Sequence, residues 1–247
     1  MGNHLTTLKH RFKPPKSGQS VTQLTPKQLA AHLQPLYTEL LRCIGYTSAP
    51  PFTDEKASEL LALMHKKAAE YGVPLDSPVS AKGFRLGYSE GVFAYPGHPV
   101  EIQAFIGLFT WIVVQIDDVV DDITDAVDHF QQRYLSGEPQ PHPLLHALGE
   151  ILREAYVYWD PILANILVTS TLNFLTSSLL ETREGFQKMA VTQAGTSFPY
   201  YYRDLTGISE AFAIFGYPSA LYPQIQYFLE AIPDMALFIN LFNDVVS

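Results

Sequence analysis

The sequence predicts an all-α fold, and three observations predict it. Apolar residues recur at helical spacing along most of the chain, as in Leu29, Leu33, Leu36, Leu40 and Leu41. No alternating strand pattern survives comparison with the helical one. Proline, glycine and short polar residues fall where helices begin and end, with no internal repeat and no linker that implies a second domain.

The elements follow in order. Residues 1–25 carry Lys9, Arg11, Lys13 and Lys16 among Pro, Ser, Gly and Thr, and are expected to form a flexible basic arm. Thr25-Pro26 supplies an N-cap and a first-turn proline for the first helix. Thr53-Asp54-Glu55 opens a second that runs through Met64. A third is predicted over residues 79–93, and a long fourth starts at Pro99 and runs through an acidic cluster. The stretch GEPQPHP at residues 137–143 is a break. Helices are then predicted over residues 146–158, 161–181, 201–215 and from 223 to the end. Several are apolar on most faces, which places them near the centre of one bundle over residues 26–247.

Composition narrows the function. Hydrophobic residues make up 47% and charged residues 17%, the balance of a compact protein with an apolar interior. Aromatic residues reach 13%; they read either as an aromatic core or as an aromatic-lined pocket, and composition does not separate the two. A net charge of −9 argues against a nucleic-acid partner, which calls for a basic surface. The single cysteine, Cys43, excludes an intramolecular disulfide and fits a reducing compartment. The first residues lack the apolar core of a signal peptide. The longest apolar stretch, residues 104–116, is interrupted by Gly107, Thr110 and Gln115 and is shorter than the roughly 20 residues of a membrane span. A cytoplasmic protein without a membrane span is the expectation.

The most unusual segment is Ile116-Asp117-Asp118-Val119-Val120-Asp121-Asp122. On a helix Asp117 and Asp121 share one face, and Asp118 and Asp122 form a parallel pair. Like charges at that spacing repel unless a cation neutralises them. The cluster follows directly on an apolar run, so its carboxylates sit at the mouth of an apolar interior, where Mg²⁺ could bridge to a phosphate. A solvated acidic helix end is the alternative reading. An EF-hand fits poorly, because Asp122 stands where the turn glycine belongs and Asp128 where the bidentate glutamate belongs.

Beyond Lys188, Arg203 is the one basic residue. It lies among aromatics in Phe198-Pro-Tyr-Tyr-Tyr-Arg-Asp-Leu-Thr-Gly, where Gly207 could interrupt a helix. An isolated guanidinium in apolar surroundings has a specific anion to meet: a ligand, or Asp204 or another carboxylate of the chain. Near the end, Asn243 and Ser247 lie four apart and offer two neutral oxygens on one helical face, as Mg²⁺ ligands or as satisfied core groups. His142 and His146 are also four apart, but Pro143 lies between them and no third zinc ligand is suitably spaced.

The ordered set of an aspartate-rich helix, Arg-x-x-x-Gly and Asn-Asp-x-x-Ser resembles class I terpene synthases, and specifically the fungal trichodiene synthase family of sesquiterpene cyclases. His142-Pro143, Ser170-Thr-Leu-Asn-Phe174 leading to Leu179-Leu-Glu181, and the segment from Pro199 to Gly207 share the likeness, which covers roughly residues 30 to 247. The resemblance implies that Asp117 ligates two of three Mg²⁺ ions, supported by Asp118 and Asp121. It implies that Asn243 and Ser247 hold the third ion, that Glu181 is a further metal-site acid, and that Arg203 senses the diphosphate of farnesyl diphosphate. The resemblance also implies that Gly207 marks the helix break whose carbonyl faces the nascent cation. Aromatic candidates for that cation are Phe93, Tyr95, Phe105 and Phe109, each equally readable as core. A homodimer is implied by the likeness alone.

The sequence departs from the family pattern at its end. The family's second motif continues to an acidic residue four positions past the serine, a basic residue precedes that acid, and later helices carry an Arg-Tyr pair that also grips diphosphate. A chain ending at Ser247 lacks these and the helices that close the bundle; the expectation for it is weak or absent activity and exposed apolar faces. The alternatives are a catalytically inactive terpene-synthase-like helical protein and a chain-elongating prenyltransferase. The second would carry another aspartate-rich motif where this sequence has Asn243-Asp244-Val-Val-Ser247.

Overall fold

The most apolar segment becomes the central helix. The computed structural model describes residues 25–48 and 51–246. Its helices are α1 (Pro26–Cys43), α2 (Asp54–Glu70), α3 (Pro78–Phe93), α4 (Val100–Val119), α5 (Thr124–Asp128), α6 (Phe130–Ser136), α7 (Pro143–Tyr158), α8 (Pro161–Thr182), α9 (Glu184–Gln187), α10 (Phe198–Thr206), α11 (Ser209–Phe215) and α12 (Ile232–Val246). There is no strand among the described residues.

The described residues fall into two compact units, 25–48 and 51–246. In the first, Thr25 caps α1 by accepting from the Gln28 backbone N–H, and the Gln28 side chain accepts in return from the Thr25 backbone N–H at 3.0 Å. This reciprocal box, followed by Pro26, explains why the helix starts where it does. Apart from Thr25, the arm expected over residues 1–25 lies outside the described residues.

In the second unit every residue of 102–113 in α4 is buried, and α2, α3 and α7 pack around it. The α3–α4 approach depends on missing side chains: a Cβ on Gly87 would stand 2.0 Å from the Gly107 carbonyl oxygen, and one on Gly91 2.7 Å from that of Gln103. The Gln103 amide fastens the same crossing by donating to the carbonyls of Gly91 and Tyr95, both at 2.9 Å. Trp159 donates to the Ile214 carbonyl at 3.0 Å, tying the end of α7 to α11. Phe105, Phe109, Trp159 and Phe215 form one aromatic cluster, with centroids 4.8 Å apart for Phe105–Trp159 and 5.1 Å for Phe109–Phe215. Much of the aromatic content is therefore core. By length and composition α4 and α8 could each cross a membrane, but 78% of the apolar window of α4 is buried inside the bundle, which accounts for its hydropathy.

The second helix runs on to Glu70 and the one expected from residue 146 starts at Pro143; three other boundaries differ in ways that shape the site. The fourth helix ends at Val119, and Asp121 and Asp122 lie in the turn after it. Carboxylates at a helix C-terminus meet the negative end of the macrodipole, so this acidic run stops the helix. The helix expected over residues 201–215 is two, α10 and α11, separated at Gly207 and by Ile208 in the left-handed region at φ 47°. Residues after Pro223 form 3₁₀ turns, and α12 starts only at Ile232, where Pro233 occupies the first turn. His142 and His146 form no metal pair: His142 caps α7, its Nδ1 accepting from the Leu144 N–H at 3.3 Å. On α12, Leu237, Phe238 and Leu241 are exposed.

Candidate active site

The isolated arginine finds its partners on α12. Arg203 Nε donates to Asp244 Oδ1 at 2.8 Å, and its Nη2 donates to the Asn240 carbonyl and to Asn243 Oδ1, both at 3.2 Å. The partner is thus Asp244, not Asp204, and it is half exposed, so the pair is one that a ligand can enter. The α10–α11 break lets α10 approach α12 this closely. A Cβ on Gly207 would stand 2.0 Å from Asn240 Oδ1 and 2.8 Å from Arg203 Nη1, so only glycine fits. Asn240 is buried; its amide donates to Asp204 Oδ1 at 3.3 Å, while its own Oδ1 is buried without a hydrogen-bond partner.

One residue earlier, α10 reaches the acidic side of the site. Tyr202 donates its hydroxyl to Glu181 Oε1 near the end of α8, at 2.5 Å. The Asp117 carboxyl is pushed up, first by desolvation and then by the negative charges of Glu181 and Asp118. Tyr202 is pushed up as well, by burial, by its hydrogen bond to Glu181 and by the charges of Glu181 and Asp117. Asp117, Asp118, Glu181 and Tyr202 therefore share one electrostatic neighbourhood with no cation of the chain to neutralise it among the groups that set these shifts. Successive residues of α10 join the two halves: Tyr202 faces the acids, Arg203 faces α12.

Beyond Arg203 the site opens into a hollow with two lobes. The first, about 340 Å³, is lined by Arg203, Thr206, Gly207, Asn240 and Asn243 on its polar side. The second, about 590 Å³, is walled by Tyr95, Ala94, Met235 and other mostly apolar groups. Glu90, Phe212, Phe238 and Ile239 line both. A polar mouth on a mostly apolar space is the construction expected for a ligand with one charged end and a hydrocarbon body.

The sequence-predicted residues divide accordingly. Asp117, Asp118 and Glu181 meet on the acidic side, and Arg203, Gly207 and Asn243 meet on the other. Asp121 lies in the turn after α4 and lines a separate cavity with Asp125 and His142. Phe109 is fully buried against Phe212 and Phe215, one layer behind the hollow, and Phe105 is likewise core. Phe93 is exposed, whereas Tyr95 lines the apolar lobe. Ser247 lies outside the described residues. Sequence reasoning missed Tyr202, Asn240, Asp244 and Glu90. The spacing of Asn240 and Asn243 on one helical face was a signal for the second of these; nothing marked Glu90.

The donor set suits a hard cation. Asp117 and Glu181 offer carboxylate oxygens that repel each other, and Asn243 offers an amide oxygen beside the buried, unsatisfied oxygen of Asn240. Among the described residues no three acidic, histidine or cysteine side chains are assembled into a complete metal site. Mg²⁺ keeps waters and takes one or two carboxylates together with phosphate oxygens of a substrate, so the donor chemistry here fits such an ion.

Comparison with known proteins places this geometry in a family. The family model described as Trichodiene synthase (TRI5) matches residues 36–247. Terpene synthase BipA of Cochliobolus sativus is 33% identical over 230 residues, covering 93% of this chain and 70% of that protein. Longiborneol synthase CLM1 of Gibberella zeae is 34% identical over 223 residues, covering 89% of this chain and 65% of its own length. Alpha-cuprenene synthase COP6 of Coprinopsis cinerea is 33% identical over 195 residues, 77% of this chain and 58% of that protein. The family match spans most of the sequence and includes every element that builds the two-sided site: the chain belongs to the trichodiene synthase family of terpene synthases.

Proposed function

We propose that the chain serves a sesquiterpene cyclase reaction, in the cytoplasm, in which farnesyl diphosphate is bound through Mg²⁺, ionised and cyclised. The observation that carries this reading is the position of Arg203. It stands at the junction of an acidic neighbourhood and an apolar hollow, and its ion-pair partner among the described residues is an exposed carboxylate that a diphosphate can replace. Asp117 and Glu181 would hold Mg²⁺ on one side, with Asp118 in support, and Asn243 and Ser247 would hold it on the other. Bound there, the metal supplies Lewis-acid neutralisation of the leaving diphosphate.

The residues of the chain do the rest. Arg203 exchanges Asp244 for phosphate oxygens and directs guanidinium N–H groups at the charge that develops as the C–O bond breaks. Tyr202, by donating to Glu181, fixes the orientation of that carboxylate and with it the spacing between the two halves. Phe212, Phe238 and Ile239 present an apolar wall that keeps water from the hydrocarbon, and an aromatic face contributes about 0.5–2 kcal/mol to a nearby cation. Incubation with farnesyl diphosphate and Mg²⁺, followed by gas chromatography with mass spectrometry, tests the proposal. The expected products are C15 hydrocarbons or alcohols released with pyrophosphate. Elongation of the substrate by added isopentenyl diphosphate, without cyclisation, would contradict it.

A further inference from the structure

Glu90 lines both lobes of the hollow, and the reaction as described gives it no role. It sits near the C-terminal end of α3, in the wall common to both lobes, beside Phe212, Phe238 and Ile239. Its carboxylate takes no hydrogen bond or ion pair among the described residues. The nearby Tyr95 hydroxyl is already committed, donating to the Phe212 carbonyl at 2.6 Å. Arg203 lines the same lobe but is held by α12. Nor is Glu90 free to swing away with its backbone. The adjacent Gly91 is locked to Gln103 by a contact no side chain would permit, and its carbonyl accepts from the Gln103 amide.

A half-buried carboxylate facing mostly apolar walls is unfavourable unless something positive meets it. Desolvation indeed pushes the Glu90 carboxyl up, the sign of an anion without compensation. The hollow contains one fixed positive group, Arg203, at its polar mouth, and that group suits an anion. Deeper in, the walls offer no cation to Glu90, and the other carboxylate on them, Asp234, is exposed to solvent where Glu90 is half-buried.

We propose that Glu90 is the counter-charge of this cavity, a carboxylate placed between its lobes to meet a positively charged hydrocarbon ligand. The proposal rests on the prenyl diphosphate reading and deepens it. With the diphosphate held at Arg203, the positive charge left on the carbon chain lies between two anions, the leaving group at the mouth and Glu90 further in. Glu90 thereby biases where along the chain that charge resides, which makes it a determinant of product as well as of affinity.

The test uses stable charge mimics and needs no turnover. Binding of a farnesyl chain ending in a dimethylammonium group is measured by calorimetry with Mg²⁺ and pyrophosphate present, against a neutral isostere with carbon in place of nitrogen. The wild-type chain is expected to prefer the ammonium. Glu90→Gln should weaken ammonium binding about tenfold, which corresponds to about 1.4 kcal/mol, and leave the neutral isostere unchanged. Glu90→Asp, which keeps the charge, should retain most of the preference. Equal loss for both ligands would assign Glu90 a purely structural role and overturn the proposal, as would an unchanged ammonium affinity in Glu90→Gln. Binding of Mg²⁺ and pyrophosphate alone reports separately on the diphosphate site. Its absence from the wild-type chain would refute the underlying reading, while its persistence in Glu90→Gln is expected.

Discussion

Replacing Gly207 with alanine tests how the two halves of the site are held together. The backbone at Gly207 has φ −80°, ordinary for any residue, so the cost of a side chain there is steric alone. The new methyl would stand 2.0 Å from Asn240 Oδ1 and 2.8 Å from Arg203 Nη1. Carbon and oxygen need more than 3 Å, so the Asn240 side chain must retreat by over an ångström. It cannot do so cheaply, because it is buried and its amide is bonded to Asp204. Overpacking of this kind costs about 1–3 kcal/mol, against which alanine recovers up to about 1 kcal/mol of helix propensity. The expected net loss is about 1–2 kcal/mol, a fall in Tm of about 2–8 °C for a chain of this size. Calorimetric melting of Gly207→Ala, Asn240→Ala and the double variant measures it. In the Asn240→Ala background the closer of the two clashes is gone and only the mobile Arg203 guanidinium must give, so Gly207→Ala should cost at least about 1 kcal/mol less there, a coupling typical of residues in contact. Additive effects, or a stabilised single variant, would refute the steric account.

Three further outcomes follow from the same geometry. Asp117→Asn removes a carboxylate that Glu181 and Asp118 repel; thermal stability should hold or rise, while Mg²⁺-dependent pyrophosphate affinity falls tenfold or more, about 1.4 kcal/mol, as followed by calorimetry. Asp244→Ala frees Arg203 of its resident anion, at a stability cost of about 0–1 kcal/mol for so exposed a pair. Pyrophosphate should bind it more tightly than it binds the wild-type chain, and weaker binding would show that Asp244 orients the guanidinium. Glu154 is desolvated, yet its carboxyl is held below the usual range because Lys67, Tyr71 and Tyr158 all donate to it. A lowered pKa stabilises the fold above the ordinary carboxylate value of about 4.3 and is lost as pH falls below it. Denaturant titrations should therefore show Glu154→Gln less stable than wild type at neutral pH, with the gap closing as pH falls below about 4.

The helices were legible where local signals agree with packing. Thr25-Pro26, Thr53 and the glycine and proline breaks mark starts and stops that the folded chain keeps, and the apolar run after Pro99 is the central helix. The acidic motif and the lone arginine also stood out locally, the carboxylates by their repulsion at helical spacing and the guanidinium by its isolation among aromatics. What local pattern could not supply was the pairing across elements. The arginine's partner Asp244 lies 41 residues further along the chain, and Tyr202 meets Glu181 across 21. Phe109 has the same local sequence signal whether it faces a pocket or a core; the position of α11, which buries it under Phe212 and Phe215, decides. The end of α4 was misread because helical periodicity was extended through Asp121 and Asp122, where charge repulsion and the helix dipole oppose it.

The central claim is that two polar clusters, joined by successive residues of α10, hold one diphosphate through a divalent metal. Titration of the chain with pyrophosphate, with Mg²⁺ and again after chelation, tests it most directly. Binding that requires Mg²⁺ and weakens tenfold or more in both Asp117→Asn and Arg203→Ala is the predicted result. Pyrophosphate binding that persists without Mg²⁺, or that loss of either residue leaves unchanged, would contradict it.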